Sequence, residues 1–373
     1  MKPSNPFVVT GYLTPKYFCD REIETKKIIE AINNNRNLTL YSLRRIGKTG
    51  LIQHVLYKLK KDYELFYIDI QSTSNLAEFI NVLSNSLIGK LDSTSSRFMK
   101  RVGEMFSSFK PAISFDPLTG NTTIQLSIDS QAEAKESLNK IFEYIESSGK
   151  KVVIAIDEFQ QIAYYPEKNI EELLRSYIQR TKNISYVFAG SSKHLITSMF
   201  TDKKRPFYQS TELMHLEKID ERKYSKFIFK NFLEYGKSIS TDDVEYILSW
   251  TKNHTFFVQY VCNKLFSSGT NKIDRKLINQ SLYSILKENE DSYNQIKILL
   301  PKNQWNLLKA ISLEDGIEQI SAQNFINKHN LSSPSSITLA LKALLHKELV
   351  TFIDEKYQLE NVFLQRWIER EFN

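Results

Sequence analysis

Two hydrophobic rhythms run along this chain, and the point where one gives way to the other divides it. Up to about residue 216, apolar runs of strand length alternate with stretches whose apolar positions recur every three or four residues. The runs at 38–41, 65–70, 152–156 and 184–189, with a shorter one at 213–216, read as strands. Helical spacing covers 21–33, which leads in, then 51–59, 76–91, 132–147 and 170–181. Strands and helices in alternation imply an α/β domain, a doubly wound parallel sheet of five strands.

The stretch 92–130 breaks this rhythm, being rich in Ser and Thr. Two short alternating segments, 113–115 and 123–126, flank Pro117-Leu118-Thr119-Gly120-Asn121 and predict an inserted hairpin. It reads equally as a partner-binding arm or as a surface elaboration. From 220 to 286 strand signals vanish and Tyr224, Phe227, Ile228 and Phe232, then Val244, Ile247 and Leu248, follow helical spacing. The helix predicted at 256–266 is apolar nearly all round, which assigns its aromatics to a core. Helices at 304–311, 322–328 and 335–347, then strands at 349–353 and 357–359 around Asp354-Glu355-Lys356, make a winged helix-turn-helix pattern closed by a helix at 362–371. The predicted organisation is a core at 1–217 carrying the insertion, an all-α lid at 218–289 and a winged helix at 290–373.

Candidate chemistry sits at the ends of two predicted strands. Ser42-Leu43-Arg44-Arg45-Ile46-Gly47-Lys48-Thr49 follows one strand and opens a helix, the context a phosphate-binding loop needs. Backbone N–H groups at a helix N-terminus offer donors and a positive dipole end to phosphates. Lys48 is expected to reach the β- and γ-phosphates, and the Thr49 hydroxyl to ligate Mg²⁺, a hard cation that prefers oxygen. Ser42 stands where the motif G-x-x-x-x-G-K-[ST] has its first Gly, and Gly50 begins the helix at a cost of about 1 kcal/mol against Ala. About a hundred residues on, Val152 to Ile156 read as a buried strand ending in Asp157 and Glu158. Asp157 is expected in the Mg²⁺ shell and Glu158 to orient or deprotonate an attacking water. The two segments together predict a nucleoside triphosphatase.

Composition bounds this reading. The 373 residues exceed one ordinary core, and 41% hydrophobic with 25% charged residues fits a soluble globular protein. The start lacks the apolar run of a signal peptide, and no stretch has the length to cross a bilayer, so the expectation is cytoplasmic, without a membrane partner. Cys19 and Cys262 are far apart, and the six histidines form no H-x-x-x-H pair, so no zinc site or disulfide framework is indicated. Residues 290–373 carry 9 Lys and Arg against 11 Asp and Glu; of the chain's 50 and 43, the first 289 residues keep 41 and 32, a local +9 against −2. The presumed recognition helix, 335–345, offers Lys342 and no Arg, Asn or Gln for base edges. Nucleic acid is therefore a weakly supported partner, and the winged module reads as protein-contacting or domain-locking.

The segments Phe18-Cys19-Asp20-Arg21-Glu22-Ile23-Glu24, Arg44 to Thr49, Ile156-Asp157-Glu158-Phe159-Gln160 and Phe188-Ala189-Gly190-Ser191-Ser192 together resemble the archaeal ATPase-like branch of the STAND class of P-loop NTPases, relatives of AAA+ proteins. The resemblance covers nearly the whole chain. It implies an AAA+-like P-loop core, a helical lid and a C-terminal winged helix, with ATP and Mg²⁺ as ligands and ATP/ADP exchange driving a switch. It implies a nucleotide contact set of Arg21, Ser42, Arg44, Arg45, Ile46, Gly47, Lys48, Thr49 and Gly50, with Arg21 close to the base. Ser191, at a strand tip, resembles the polar sensor of the γ-phosphate, although a helix cap would look the same. Arg205, in a basic loop, stands where AAA+ relatives place a transition-state arginine, acting in cis or from a neighbouring subunit of a homo-oligomer. A solvated loop is the alternative, and Arg180 is a second candidate. Where relatives carry a Gly-His-Pro-like turn in the lid, this chain has Asn253-His254-Thr255.

The leading expectation is a slow Mg²⁺-dependent ATPase acting as a regulatory or defence-like switch on an unidentified protein partner. The alternative is a nucleic-acid-binding or protein-interaction module that uses the fold as a scaffold.

Overall fold

The structure, a computed structural model, describes residues 3–87, 112–115, 122–353 and 355–372, the side chains of 112–115 and 122–124 excepted. It falls into two compact units, Thr10–Ile219 and a second formed by Asp220–Asn373 together with the residues up to Val9.

In the first unit, α1 (Glu22–Asn33), β1 (Leu38–Tyr41), α2 (Lys48–Leu59), β2 (Glu64–Asp69) and α3 (Leu76–Leu87) are followed by a hairpin of β3 (Ala112–Phe115) and β4 (Thr122–Gln125). Then come α4 (Gln131–Ser147), β5 (Val152–Asp157), a 3-10 helix (Phe159–Tyr164), α5 (Ile170–Arg180), β6 (Ile184–Gly190), α6 (Lys193–Thr201) and β7 (Glu212–His215). The expected five-stranded sheet is present, all parallel, in the order β2-β5-β6-β1-β7. β3 and β4 pair antiparallel with Ile113 opposite Ile124, as the hairpin reading requires. The connecting residues 116–121 lie outside the described residues, as does the expected end of the helix at 76–91.

Strand alternation decides which face each side chain serves. Phe66, Ile68, Ile154, Ile156, Tyr186 and Phe188 join one core with α3, α4, α5 and the 3-10 helix. Leu38, Leu40, Val153, Ala155, Val187 and Ala189 join the other, with α1 and α2. By the same parity Tyr67, Asp69 and Asp157 belong to the α2 face. The register sets Asp69 beside Asp157 at the carboxyl ends of β2 and β5. Ligands gather at such strand ends in open α/β sheets.

The second unit holds α7 (Glu221–Glu234), β8 (Ser238–Ile239), α8 (Thr241–Trp250), α9 (Thr255–Phe266), β9 (Lys272–Ile273), α10 (Arg275–Glu288) and α11 (Glu290–Leu299). The expectation of no strands here is corrected by β8 and β9, which pair in parallel over two residues each, too short to show alternation. α11 escaped the periodic reading because Tyr293 is its one buried residue. The winged module follows as α12 (Lys302–Leu313), α13 (Gln323–Lys328), α14 (Pro334–His346), the antiparallel pair β10 (Val350–Ile353) and β11 (Lys356–Leu359), and α15 (Val362–Phe372). Asp354, at the expected wing tip, lies outside the described residues.

The helices before the winged module, the expected lid, are sewn to it within this unit. Phe257 and Phe363 rings stand 4.6 Å apart. Lys252 Nζ meets Asp315 Oδ1 at 2.5 Å and Gln365 Oε1 at 2.6 Å, and Arg366 Nε donates to the Trp250 carbonyl at 3.0 Å. The N-terminal segment, expected from sequence to open the core, packs here instead. Phe7 is buried against Phe232 with ring centroids 4.7 Å apart, and Asn263 Nδ2 donates to the Phe7 carbonyl at 2.8 Å.

Candidate functional site

The chain must turn from β1 into α2 between Ser42 and Gly47, and the turn uses two left-handed residues, Arg45 (φ 61) and Gly47 (φ 107). Gly47 adopts this conformation without a Cβ clash, whereas Arg45 bears about 1–2 kcal/mol of strain. Ser42 does not have a positive φ, so its replacement of the motif Gly costs no backbone strain. It is fully buried, and its Oγ donates to the Leu43 carbonyl at 2.8 Å, an oxygen that also accepts from Lys48 Nζ at 3.3 Å. The loop thus ties itself down with the hydroxyl that a Gly would lack.

Lys48 is 5% exposed and begins α2. Thr49 Oγ1 donates to Asp157 Oδ2 at 2.7 Å, which joins the loop to the tip of β5. Asp157 also accepts from the Tyr67 hydroxyl at 2.8 Å and, on Oδ1, from the Glu158 N–H at 3.0 Å. Burial first, and then the charge of Asp157, push the Tyr67 phenol far above its ordinary range, so it remains a proton donor. Desolvation raises the Asp69 carboxyl, opposed by the N–H of Gln71 and aided by the charges of Asp157 and Glu158. The charges of Asp157 and Glu158 thus bear on Asp69 across one rim. Among the described residues no group of three His, Cys, Asp or Glu could hold a metal by itself. The Thr49 hydroxyl and Asp157 are oxygen donors of the kind that would hold a Mg²⁺.

Glu158 leaves β5 in a left-handed conformation (φ 54). Its Oε2 accepts from the Ser191 hydroxyl at 2.7 Å, the Ser191 N–H at 3.3 Å and Gln160 Nε2 at 2.5 Å. The cap of α6 is Ser192, so Ser191 is not a helix cap. Arg21, also left-handed (φ 75) and 3% exposed, reaches the Ile46 carbonyl at 3.5 Å and pairs with Glu24 at 3.1 Å. It braces the outer side of the loop. Nearby, Phe18 stacks on His54 of α2 at 4.5 Å, and a Cβ on Gly50 would stand 3.4 Å from Phe18. Burial, with Lys58 adding to it, pulls His54 down to about 4, so the ring is neutral at pH 7.

The structure does not bring every expected residue to this rim. Arg205, expected as a transition-state arginine, has both ends of its guanidinium on Glu171, with Nε 3.1 Å from Oε2. Burial raises the Glu171 carboxyl and Arg205 opposes that rise, so the pair anchors the basic loop to α5. Arg180 points to Asn139 Oδ1 at 3.4 Å and over the Tyr177 ring. Arg44 is partly buried and Arg45 exposed, both within the loop. Sequence reading missed Tyr67, Asp69 and Gln160. The first two carry a signal, polar positions of a strand whose alternate residues Phe66 and Ile68 are apolar; Gln160 was read only as the end of the segment Ile156 to Gln160, with no role of its own.

A family model described as an ATPase domain predominantly from Archaea matches residues 18–255, and one described as a probable winged helix domain matches 291–370. An uncharacterised ATP-binding protein of Methanocaldococcus jannaschii is 26% identical over 310 residues, 75% of this chain and 82% of that protein. A second from the same organism is 25% identical over 83% of each chain. Among solved structures, a Walker-type ATPase of Pyrococcus abyssi superposes with a TM-score of 0.67 at 18% identity, covering 97% of this chain and 99% of its own. The ORC2 protein of Aeropyrum pernix does so with 0.59 at 12% identity, covering 98% of both. These similarities extend through the parallel sheet, the loop after β1 and the winged module, and the chain belongs to the family of ATPase domains found predominantly in Archaea.

Proposed function

We propose that this chain binds ATP with Mg²⁺ at Ser42–Gly50 and hydrolyses it slowly, as a nucleotide-controlled switch of the STAND class. The observation that carries the reading is the 2.7 Å bond from Thr49 to Asp157, which joins the phosphate loop to the acidic tip of β5 with Glu158 as the next residue. Lys48 and the N–H groups at the start of α2 hold the phosphates. Mg²⁺, when bound, supplies charge neutralisation on the phosphoryl oxygens. Glu158 takes a proton from water as the water oxygen bonds to the γ-phosphorus, the bond from that phosphorus to the β-bridging oxygen breaks, and ADP and phosphate leave. Ser191, held by Glu158 before nucleotide arrives, turns its hydroxyl to the γ-phosphate. The switch reading is supported by the seam of Lys252, Asp315, Gln365 and Arg366, which lets lid and winged module respond as one body.

The test is Mg²⁺-dependent ATP hydrolysis with nucleotide binding measured on the same samples. Glu158→Gln is expected to keep binding and lose turnover by about 10²–10⁴-fold. Wild-type protein that fails to bind ATP would sink the proposal.

A further inference from the structure

Gln160 takes no part in the steps above, yet it occupies a costly position. It is 5% exposed, and its Oε1 is buried without a hydrogen-bond partner among the described residues. An unpaired buried carbonyl destabilises a fold, and an apolar side chain of similar volume would avoid that loss. The space for the amide comes from Gly190 at the end of β6, where an added Cβ would lie 2.3 Å from Gln160 Oε1. Gly190 belongs to the face of β6 that Phe188 shares, the face on which the 3-10 helix packs. The amide is oriented by its neighbour. Its Nε2 donates to Glu158 Oε2 at 2.5 Å, and the reverse orientation would press a carbonyl against a carboxylate. Stability does not explain such a residue, and the one side-chain bond it makes among the described residues goes to the proposed base.

We propose that Gln160 is a positioning residue for Glu158. It fixes Oε2 so that Oε1, which accepts no hydrogen bond among the described residues, is left to take the proton from water. Ser191 supplies two further donors to Oε2. Once its hydroxyl turns to the γ-phosphate, that support weakens, and Gln160 keeps the carboxylate in place during the reaction. A freely rotating carboxylate would spend little time in the orientation that proton transfer needs. This inference rests on the reading of Glu158 as the base.

Full-length Gln160→Met and Gln160→Glu are compared with wild type and Glu158→Gln for kcat, ATP dissociation constant and thermal midpoint. Met fills a similar volume with neither the donor nor the orphaned acceptor; Glu keeps the shape and replaces the donor with an oxygen. Both are expected to lower kcat by about tenfold or more with ATP affinity within about twofold of wild type. Gln160→Met is also expected to melt at or above the wild-type temperature. Wild-type kcat in Gln160→Met, beside an inactive Glu158→Gln, would overturn the positioning role and leave the base assignment standing. Parallel losses of melting temperature, affinity and kcat in both Gln160 variants would overturn it in favour of packing. Wild-type turnover in Glu158→Gln would remove the base reading itself and this inference with it.

Discussion

The phosphate rim of the sheet and the seam between lid and winged module both bury charge, but on opposite terms. At the seam, Lys252 has Asp315 and Gln365 as partners, and burial lowers its pKa against the pull of Asp315. Gln365 there donates to Ser312 and Asp315 while accepting from Lys252. At the rim, Arg45 and Glu158 hold left-handed backbone, as Lys252 and Asp315 do at the seam, but the charges of Asp157 and Glu158 bear on Asp69, and Gln160 Oε1 has no partner among the described residues. Left-handed backbone is thus common to both regions, and what differs is the charge, carboxylates gathered at the rim and opposite charges paired at the seam.

The largest effect that could break this contrast is at Lys48. Lys48→Ala is expected to weaken ATP binding by about 10–100-fold while leaving the melting of the C-terminal unit alone; calorimetric binding and thermal denaturation check both. At the seam the effects should exchange places. Lys252→Ala is expected to destabilise by about 1–2 kcal/mol, a value reduced from that of a fully buried pair because Asp315 is 70% exposed. Its ATP affinity should stay at the wild-type level, and an equal loss in both assays would dissolve the distinction between the two regions. The smallest expected effect is that of Ser42→Gly. Since Ser42 needs no left-handed φ, restoring the motif Gly should gain nothing in turnover and should cost about 0.5–1.5 kcal/mol of stability through the lost bond to Leu43. A large rise in turnover would mean that Ser42 restrains the loop.

Much of this architecture could be read before the fold was known. The parallel sheet was legible because buried strands such as Val152–Asp157 are apolar throughout and end abruptly in charge. Gly47-Lys48-Thr49 was legible from the strand before it and the helix after it. Alternation along β5 even fixes the face on which Asp157 meets Thr49. Sequence could not show the conformation of Ser42, because negative and positive φ leave the same letter in the chain. The pairing of Arg205 with Glu171 was not legible, because that partner is 34 residues distant and reaches it only through the packing of α5. Gln160 acquires meaning only beside Gly190 and Glu158, a conjunction made by the pairing of β5 with β6. The two-residue strands β8 and β9 and the single buried residue of α11 are too little pattern for periodicity to register.

The central claim is that the tip of β5 turns nucleotide binding at the loop into hydrolysis. Release of phosphate from ATP by wild type and Glu158→Gln, with and without Mg²⁺ and at saturating nucleotide, tests it most directly. The account predicts Mg²⁺-dependent turnover in wild type that Glu158→Gln loses by at least about 100-fold at unchanged ATP affinity. Equal turnover in the two proteins, or turnover indifferent to Mg²⁺, would contradict it.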